Sequence, residues 1–432
     1  MGRYTKYSGK VDNYVGEKIN LIVDEIKKKI PGLYAIIVMG GFGRGEGAVE
    51  IVNKKPRMIN DFDLYIITKK QISDDYLEKL AAKCSKKIGV GGIAHPEGFE
   101  KEYNFKDFFH IDIHCLPKGK LKYLPPTIRY YEMKHSAMVI YGDKKIVNEL
   151  PKIKKIPKPE ALRVIMNRMV LLLMASSPEF IKNPELMTKD QKGIMAYYTA
   201  KSYCTITEAL LIFSNNFEPT YTARGKKLYE IYEDKFPTLA QQIPDLHKKV
   251  KQFTNYKFKP DPNKIDIVEE WEICRENLGI IFRYCLSHFL KKKMPRNWIR
   301  IRTILKKELF IPYFNPYASF VLGKLDNIFF RNIVNWAGQS YMSYKYLLKL
   351  NQEFKRFPYQ FLSFKDPGVK IIYIAPLVLY SFNNKGKVNE EMVKEAWTEL
   401  KSIYKMKGAV NWNNLKTHFM KAYRLYYLQK FV

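Results

Sequence analysis

Three short stretches carry the residue types best suited to chemistry: Gly40-Gly41-Phe42-Gly43-Arg44-Gly45-Glu46, Asp61-Phe62-Asp63, and His110-Ile111-Asp112-Ile113-His114. In an extended chain, residues two apart point to the same side, so Asp61 and Asp63 place two carboxylates together while Phe62 and Leu64 face the other way. Two carboxylates held side by side repel unless a cation sits between them. Mg²⁺ answers that need, because it takes few protein ligands and completes its shell with water and substrate phosphates. Asp112 repeats the pattern on another extended segment: Ile111, Ile113 and Cys115 can fill a core while His110, Asp112 and His114 share the opposite face. Brought next to the first pair, Asp112 would complete a site for two metals, one activating an acceptor hydroxyl and one holding a triphosphate and its leaving pyrophosphate.

The glycines complete the set. Directly behind a buried strand they let the backbone turn tightly and bring unhindered N–H groups to a helix start, where the dipole favours phosphate; Arg44 would then reach a triphosphate oxygen. Each stretch also has a plainer reading. The glycine cluster lacks the Lys-Ser/Thr ending of a P-loop and, alone, is a turn. Asn60-Asp61 alone is an Asx-type turn at a strand entry. His110, Asp112 and His114 together would suit zinc, whereas magnesium's preference for oxygen leaves the two histidines beside the metal site or solvated.

The elements that must position these residues can be read from periodicity. Val15, Ile19, Ile22, Val23 and Ile26 recur at helical spacing from Val11 to Ile30, and Pro31-Gly32 ends the run. Apolar runs of strand length follow at Leu33 to Met39, Phe62 to Thr68 and Asp107 to Leu116, with a helix predicted over Asp74 to Ile88. This alternation predicts an α/β N-terminal domain. Beyond the Pro- and Lys-rich stretch at 151–159 the pattern becomes helical, with helices predicted over Glu160 to Met174, Gly193 to Ser214, Lys264 to Leu290, Asn335 to Glu353 and Glu390 to Tyr404. Three consecutive domains are expected: a catalytic domain over 1–151, a helical bundle over 159–290 and a basic, aromatic-rich helical region over 291–432.

The order GG…GRGE, DxD and a later lone aspartate in a strand resembles the DNA polymerase β-type nucleotidyltransferase superfamily, and the GGFGRGE form is similar to bacterial uridylyltransferases that modify signalling proteins. The resemblance spans the stretch before the Pro-rich segment. It implies a small mixed sheet, an NTP as substrate with Mg²⁺ or Mn²⁺, and Gly40 and Gly41 on the phosphates, with Gly43, Arg44 and Glu46 in the same nucleotide-binding turn. It also implies that Asp61, Asp63 and Asp112 are the metal-binding catalytic carboxylates. One departure is the 14-residue stretch between Glu46 and Asp61, longer than in the uridylyltransferases.

Further nucleotide contacts are expected from the helical part. Arg163 and Asn167 are four apart and share a helix face that could turn to the nucleotide, or could make an interhelical hydrogen bond. Lys201 and Arg224 are either phosphate contacts or members of a solvated face.

The net charge of +31 attracts polyanions such as nucleic acid or an acidic membrane face; the plainer reading is a Lys-, Ile- and Tyr-rich background from genomic base composition, which loads lysine on every solvated face without selecting a partner. The first 150 residues carry 26 Lys and Arg against 19 Asp and Glu, so most of the excess lies beyond them. It peaks at Lys291 to Lys307, where eight basic residues and no acid surround Trp298, Ile299, Ile301 and Leu305. Lys291, Lys292, Lys293, Arg296, Trp298, Arg300, Arg302, Lys306 and Lys307 would suit RNA, single-stranded DNA or acidic lipid, through ion pairing and stacking. The competing reading is an amphipathic bundle helix with a charged outer face. The five scattered cysteines argue against a disulfide framework or a zinc ribbon, and the N-terminus lacks a signal-peptide core, so a cytoplasmic protein is expected.

Together these features predict transfer of a nucleoside monophosphate from an NTP to a hydroxyl, with an RNA or DNA 3′ end as the favoured acceptor. A protein, small-molecule or glycan acceptor is the alternative, and a basic module that only senses nucleotide is the reading from another class.

Overall fold

The computed structural model describes residues 2–59, 61–90, 109–261, 265–308 and 367–428, with a few isolated positions between 327 and 337. The chain divides into two compact units, and neither is continuous in sequence. One comprises Met1–Ile156 with Met187–Cys274, the other Pro157–Leu186 with Arg275–Val432. This differs from the three consecutive domains that the composition suggests. The helices after residue 187 join the sheet through buried side-chain bonds that leave no mark in hydropathy.

In the first unit, α1 (Lys10–Lys29) buries the helically spaced residues Val15, Ile19, Ile22, Val23 and Ile26. Asp12, in its first turn, accepts from the backbone N–H of Arg3 at 2.7 Å and Tyr4 at 2.8 Å, which ties the N-terminal segment down. Strand β1 (Leu33–Val38) runs into a single helical turn, α2 (Gly40–Gly43). The stretch before the first aspartate is a hairpin, β2 (Val49–Val52) and β3 (Lys55–Met58), which accounts for the extra length after Glu46. Its turn residues Asn53 and Lys54 have φ of 50° and 61°, the left-handed geometry of a tight hairpin turn. Asn-Lys is a weak signal for such a turn, which is why the sequence did not display it.

Strand β4 (Asp61–Thr68), helix α3 (Asp74–Ile88) and strand β5 (His110–Pro117) follow, then α4 (Ile128–His135) and β6 (Met138–Gly142). The four long strands form one mixed sheet in the order β5-β4-β1-β6. β4 pairs with β5 in parallel and with β1 antiparallel, and β1 pairs with β6 antiparallel. One face is apolar: Ile36, Val38, Phe62, Leu64, Ile66, Ile111 and Ile113 pack with α1 and α3 residues into a single core. That burial fixes the register, because a slip of one residue would turn the aspartates into the core. The unit is completed by helices α7 (Lys189–Phe213), α8 (Tyr221–Lys235), α9 (Pro237–Gln242), α10 (Leu246–Phe258) and the first part of α11 (Ile267–Leu290). α7 starts on a capping box in which Thr188 and Gln191 bond reciprocally.

The second unit contains α5 (Lys158–Met174), α6 (Pro178–Lys182), the rest of α11, α12 (Trp298–Glu308), α13 (Pro367–Leu379), α14 (Glu390–Lys401) and α15 (Trp412–Tyr423). α13 is its centre, packed on α5, α12, α14 and α15, with Ile371 to Leu379 almost wholly buried. The helix expected over Asn335 to Glu353 lies outside the described residues but for an isolated position. Among the described residues no helix is long and apolar enough to cross a membrane. All five cysteines are buried thiols.

Candidate active site

The parallel register of β4 and β5 sets Asp61 opposite His110 and Asp63 opposite Asp112, with Tyr65 opposite His114 one step further in. Paired residues share a face, so the two aspartates of β4 and the one of β5 emerge together at the entry of both strands. Asp61, His110 and Asp112 bring one donor atom each within 4.8 Å of one another. His110 Nε2 lies 3.5 Å from Asp112 Oδ2 and 4.0 Å from Asp61 Oδ2. Of the two flanking histidines, His110 is therefore the one in the cluster, while the His114 ring lies 4.9 Å from that of Tyr65.

Asp63 sits deepest. Burial, with the charges of Asp61 and Asp112 beside it, pushes its carboxyl up to about 7, against the pull of Arg129 and His110. Like charges have been gathered where they repel, an arrangement that a bound cation would relieve.

The glycine turn lies against this cluster. Gly40 has φ of +61°, and a Cβ there would run into the Asp63 carboxylate. Gly43 is as constrained, since a Cβ would run into the Val38 carbonyl. The Met39 N–H donates to the Asp63 carbonyl at 2.8 Å and so holds the turn on β4. Beneath the site, Phe42, Phe62 and Phe109 interlock edge to face, with centroids 4.7 Å apart for Phe42–Phe62, 4.9 Å for Phe62–Phe109 and 6.2 Å for Phe42–Phe109. Each pair contributes about 1 kcal/mol beyond its buried area. Phe42 and Phe62 lie inside the first two chemistry-bearing stretches, and Phe109 directly precedes the third.

Arg44 and Glu46 have other partners. Arg44 Nη1 donates to Glu132 at 2.6 Å, its Nε lies 3.7 Å from Glu46, and its guanidinium stacks on the Tyr221 ring at 4.4 Å. Glu46 accepts from the backbone N–H of Tyr221 at 2.8 Å and of Thr222 at 2.9 Å, and from the Thr222 hydroxyl at 2.6 Å, at the start of α8. Arg224, expected on a solvated face or on phosphate, is instead fully buried. It donates to Glu132 and, at 2.7 Å, to Glu208. Burial opposes charge on both arginines, but Glu132, Glu208 and the other anionic neighbours together outweigh it and hold them firmly protonated.

Lys257, which nothing in the sequence singled out, is 4% exposed on α10. Its ammonium lies 4.7 Å over the Tyr221 ring and, among the described residues, pairs with no carboxylate. Burial lowers its proton affinity, while Asp61 and Glu46 are near enough to raise it. Lys201 lies on α7, its ammonium 5.5 Å over the Tyr197 ring.

The remaining predicted residues belong to the second unit. Arg163 grips Glu160 with two bonds of 2.9 and 3.0 Å, and Asn167 accepts from the Tyr423 hydroxyl, the interhelical alternative. In the basic segment, Trp298 is buried and stacked on Tyr380 with centroids 4.3 Å apart, so it offers no surface to a base. Ile301 and Leu305 are core residues; Arg302 bonds Glu395 and Glu399, and Lys306 donates to Glu399 at 2.8 Å. Lys291, Lys292, Lys293, Arg296, Arg300 and Lys307 are exposed. The segment is thus an amphipathic bundle helix, preceded by an exposed basic turn. Its apparent aromatic interleaving was core packing.

No family model matches the chain, and no curated protein sequence does. A solved structure with a similar course is that of spectinomycin adenyltransferase AAD(9) from Enterococcus faecialis with ATP and spectinomycin. It is 12% identical, and the match covers 61% of this chain and 98% of that one with a TM-score of 0.33. A superposition of that extent assigns no activity.

Proposed function

We propose that this chain is a metal-dependent nucleotidyltransferase that moves a nucleoside monophosphate from an NTP to an acceptor hydroxyl. The observation that carries the reading is the convergence of Asp61, Asp63 and Asp112 at one strand entry, with a glycine turn packed directly on Asp63 through Gly40. The donor set suits a hard divalent cation: carboxylate oxygens predominate, and their mutual repulsion favours a bound cation. Bound there, Mg²⁺ or Mn²⁺ would activate the attacking hydroxyl and shield the triphosphate. Asp61 and Asp112 would hold the ion, with Asp63 completing the negative floor. The acceptor oxygen forms a bond to the α-phosphorus, the bond from that phosphorus to pyrophosphate breaks, and the hydroxyl proton passes to a carboxylate or to water. Lys257 and Arg129 supply positive charge for the phosphate oxygens.

For the acceptor we favour a nucleic-acid 3′ end, on the strength of the chain's net charge. The test is incubation of the purified protein with each α-labelled NTP and Mg²⁺ or Mn²⁺, offering RNA, protein extract or small metabolites, with Asp63→Asn alongside. Label entering RNA and absent from the variant is the expected result, whereas label in protein or in a small molecule would move the acceptor to that class. Equal incorporation by the variant would overturn the carboxylate assignment. Tight NTP binding without transfer to any acceptor would make the chain a nucleotide sensor.

A further inference from the structure

The far end of the same sheet holds a second concave site, remote from the carboxylates. A cavity of about 560 Å³, within the range of small-ligand sites, is lined by Tyr34, Lys69, Lys118, Gly119, Lys122 and Glu149. It lies where β4 and β5 end and β1 begins. Asp61 opens β4 and Lys69 follows its last residue, so the two sites are about 26 Å apart along the strand.

Three lysines face one glutamate. Lys118 lies 3.3 Å from Glu149 and 5.1 Å over the Tyr34 ring, while Lys69 and Lys122 have no carboxylate partner among the described residues. The lining therefore carries an uncompensated positive charge next to an aromatic ring. That ring has been placed there by the backbone. Tyr34 is the extra residue of a β-bulge, since Leu33 pairs with Thr68 and Ala35 with Ile67, leaving Tyr34 without a partner on β4. On its other side Gly142, with φ of +85°, comes so close to the Tyr34 carbonyl that no Cβ would fit. Bulges re-aim side chains, and this one leaves the large ring 42% exposed at the cavity. Tyr123, 59% exposed, stands beside Lys122, whose ammonium is 4.9 Å over its ring.

We propose that this cavity binds a phosphate-bearing nucleotide unit, with its base stacked on Tyr34 and its phosphate held by Lys69 and Lys122. An aromatic face with adjacent lysines recognises bases of any identity, because every base has a face that can stack. The cavity volume suits one nucleotide at a time, supplied either as a free mononucleotide or as one residue of a single strand. The inference is independent of the reaction assigned to the carboxylates.

The test is binding of a fluorescein-labelled twelve-residue oligo(U) by anisotropy, and of AMP by calorimetry, both in EDTA so that a metal-dependent site stays silent. Lys69 and Lys122 are exposed, so the Lys69→Glu/Lys122→Glu variant should fold. We expect it to bind oligo(U) at least about tenfold more weakly, with the slope of log affinity against log salt smaller by about 1.4, the share of two phosphates on a single strand. Tyr34→Ala should lose affinity several-fold with the salt slope unchanged. Loss of AMP binding in the double variant with oligo(U) binding retained would identify the free nucleotide as the source. Wild-type affinity of the double variant for both probes, or no binding of either by the wild type, would overturn the proposal.

Discussion

Two groups of charged side chains lie in the first compact unit, and they are arranged on opposite terms. Around Glu132, opposite charges alternate: Arg44 and Arg224 both donate to it, Arg224 also to Glu208, and Arg44 lies beside Glu46, which caps the start of α8. At the entry of β4 and β5, like charges meet: three carboxylates share one edge, and burial with two anionic neighbours drives Asp63 up to about 7. The first group pairs its charges within itself and joins the glycine turn, α4 and the helical bundle. In the second, like charges repel, with Arg129 and His110 pulling against that repulsion. Alternating opposite charges describe architecture, and gathered like charges invite a cation.

The largest effect should come from the like-charge group, in function alone. Asp63→Asn is expected to cut nucleotidyl transfer by more than about a hundredfold, beyond what losing an outer partner of a metal ligand costs. Thermal stability should be retained or raised, because one of three repelling charges is gone. A companion measurement separates the metal from the fold: Mg²⁺ at millimolar concentration should raise the Tm of the wild type by linkage. The Asp61→Asn/Asp112→Asn variant should not respond. An equal shift in both would place the cation elsewhere.

The alternating group should behave in reverse. Glu132→Gln leaves Arg44 and Arg224 buried without their common counter-charge, and breaking one partner of a buried pair costs about 3–5 kcal/mol. Urea unfolding should therefore show a midpoint far below that of the wild type, and any activity loss should follow the unfolded fraction. A variant with wild-type stability would mean that the network is dispensable and that its charges had a ligand in view after all.

The two groups also differ in how far the sequence disclosed them. Alternation placed Asp61, Asp63 and Asp112 on the polar side of strands because their neighbours Phe62, Ile111 and Ile113 are apolar, and the sheet turns those residues inward. A period of two is a local property and can be read from a few residues. Nothing local shows that Arg44 would meet Glu132, 88 residues away, or that Glu46 would cap a helix starting at Tyr221. The same blindness put Trp298 and Arg302 on an imagined binding surface, since a core aromatic and a paired arginine look identical in sequence to their exposed counterparts. It also hid Lys257, whose significance lies in its burial. The hairpin over 49–58 was missed because its turn uses Asn53-Lys54 in place of a glycine.

The smallest effect, and the finest division between the two groups, concerns acid. Burial alone would raise the Glu46 carboxyl, but the Arg44 charge and the bonds from Thr222 and Tyr221 outweigh it and hold the group below its usual value of 4.5. A carboxylate whose proton affinity is lowered by folding contributes stability above its unfolded pKa and loses that contribution as pH falls through the folded one. The Tm advantage of the wild type over Glu46→Gln should accordingly be constant from pH 7 to about 5, shrink below 4.5, and disappear once Glu46 is protonated in the folded state. The protein should stay folded through that change, because the hydroxyl and amide donors of α8 can still meet a neutral side chain at position 46. An advantage that stayed flat through the acid range would show that these donors, and not the charge beside Arg44, are what tie the glycine turn to the bundle.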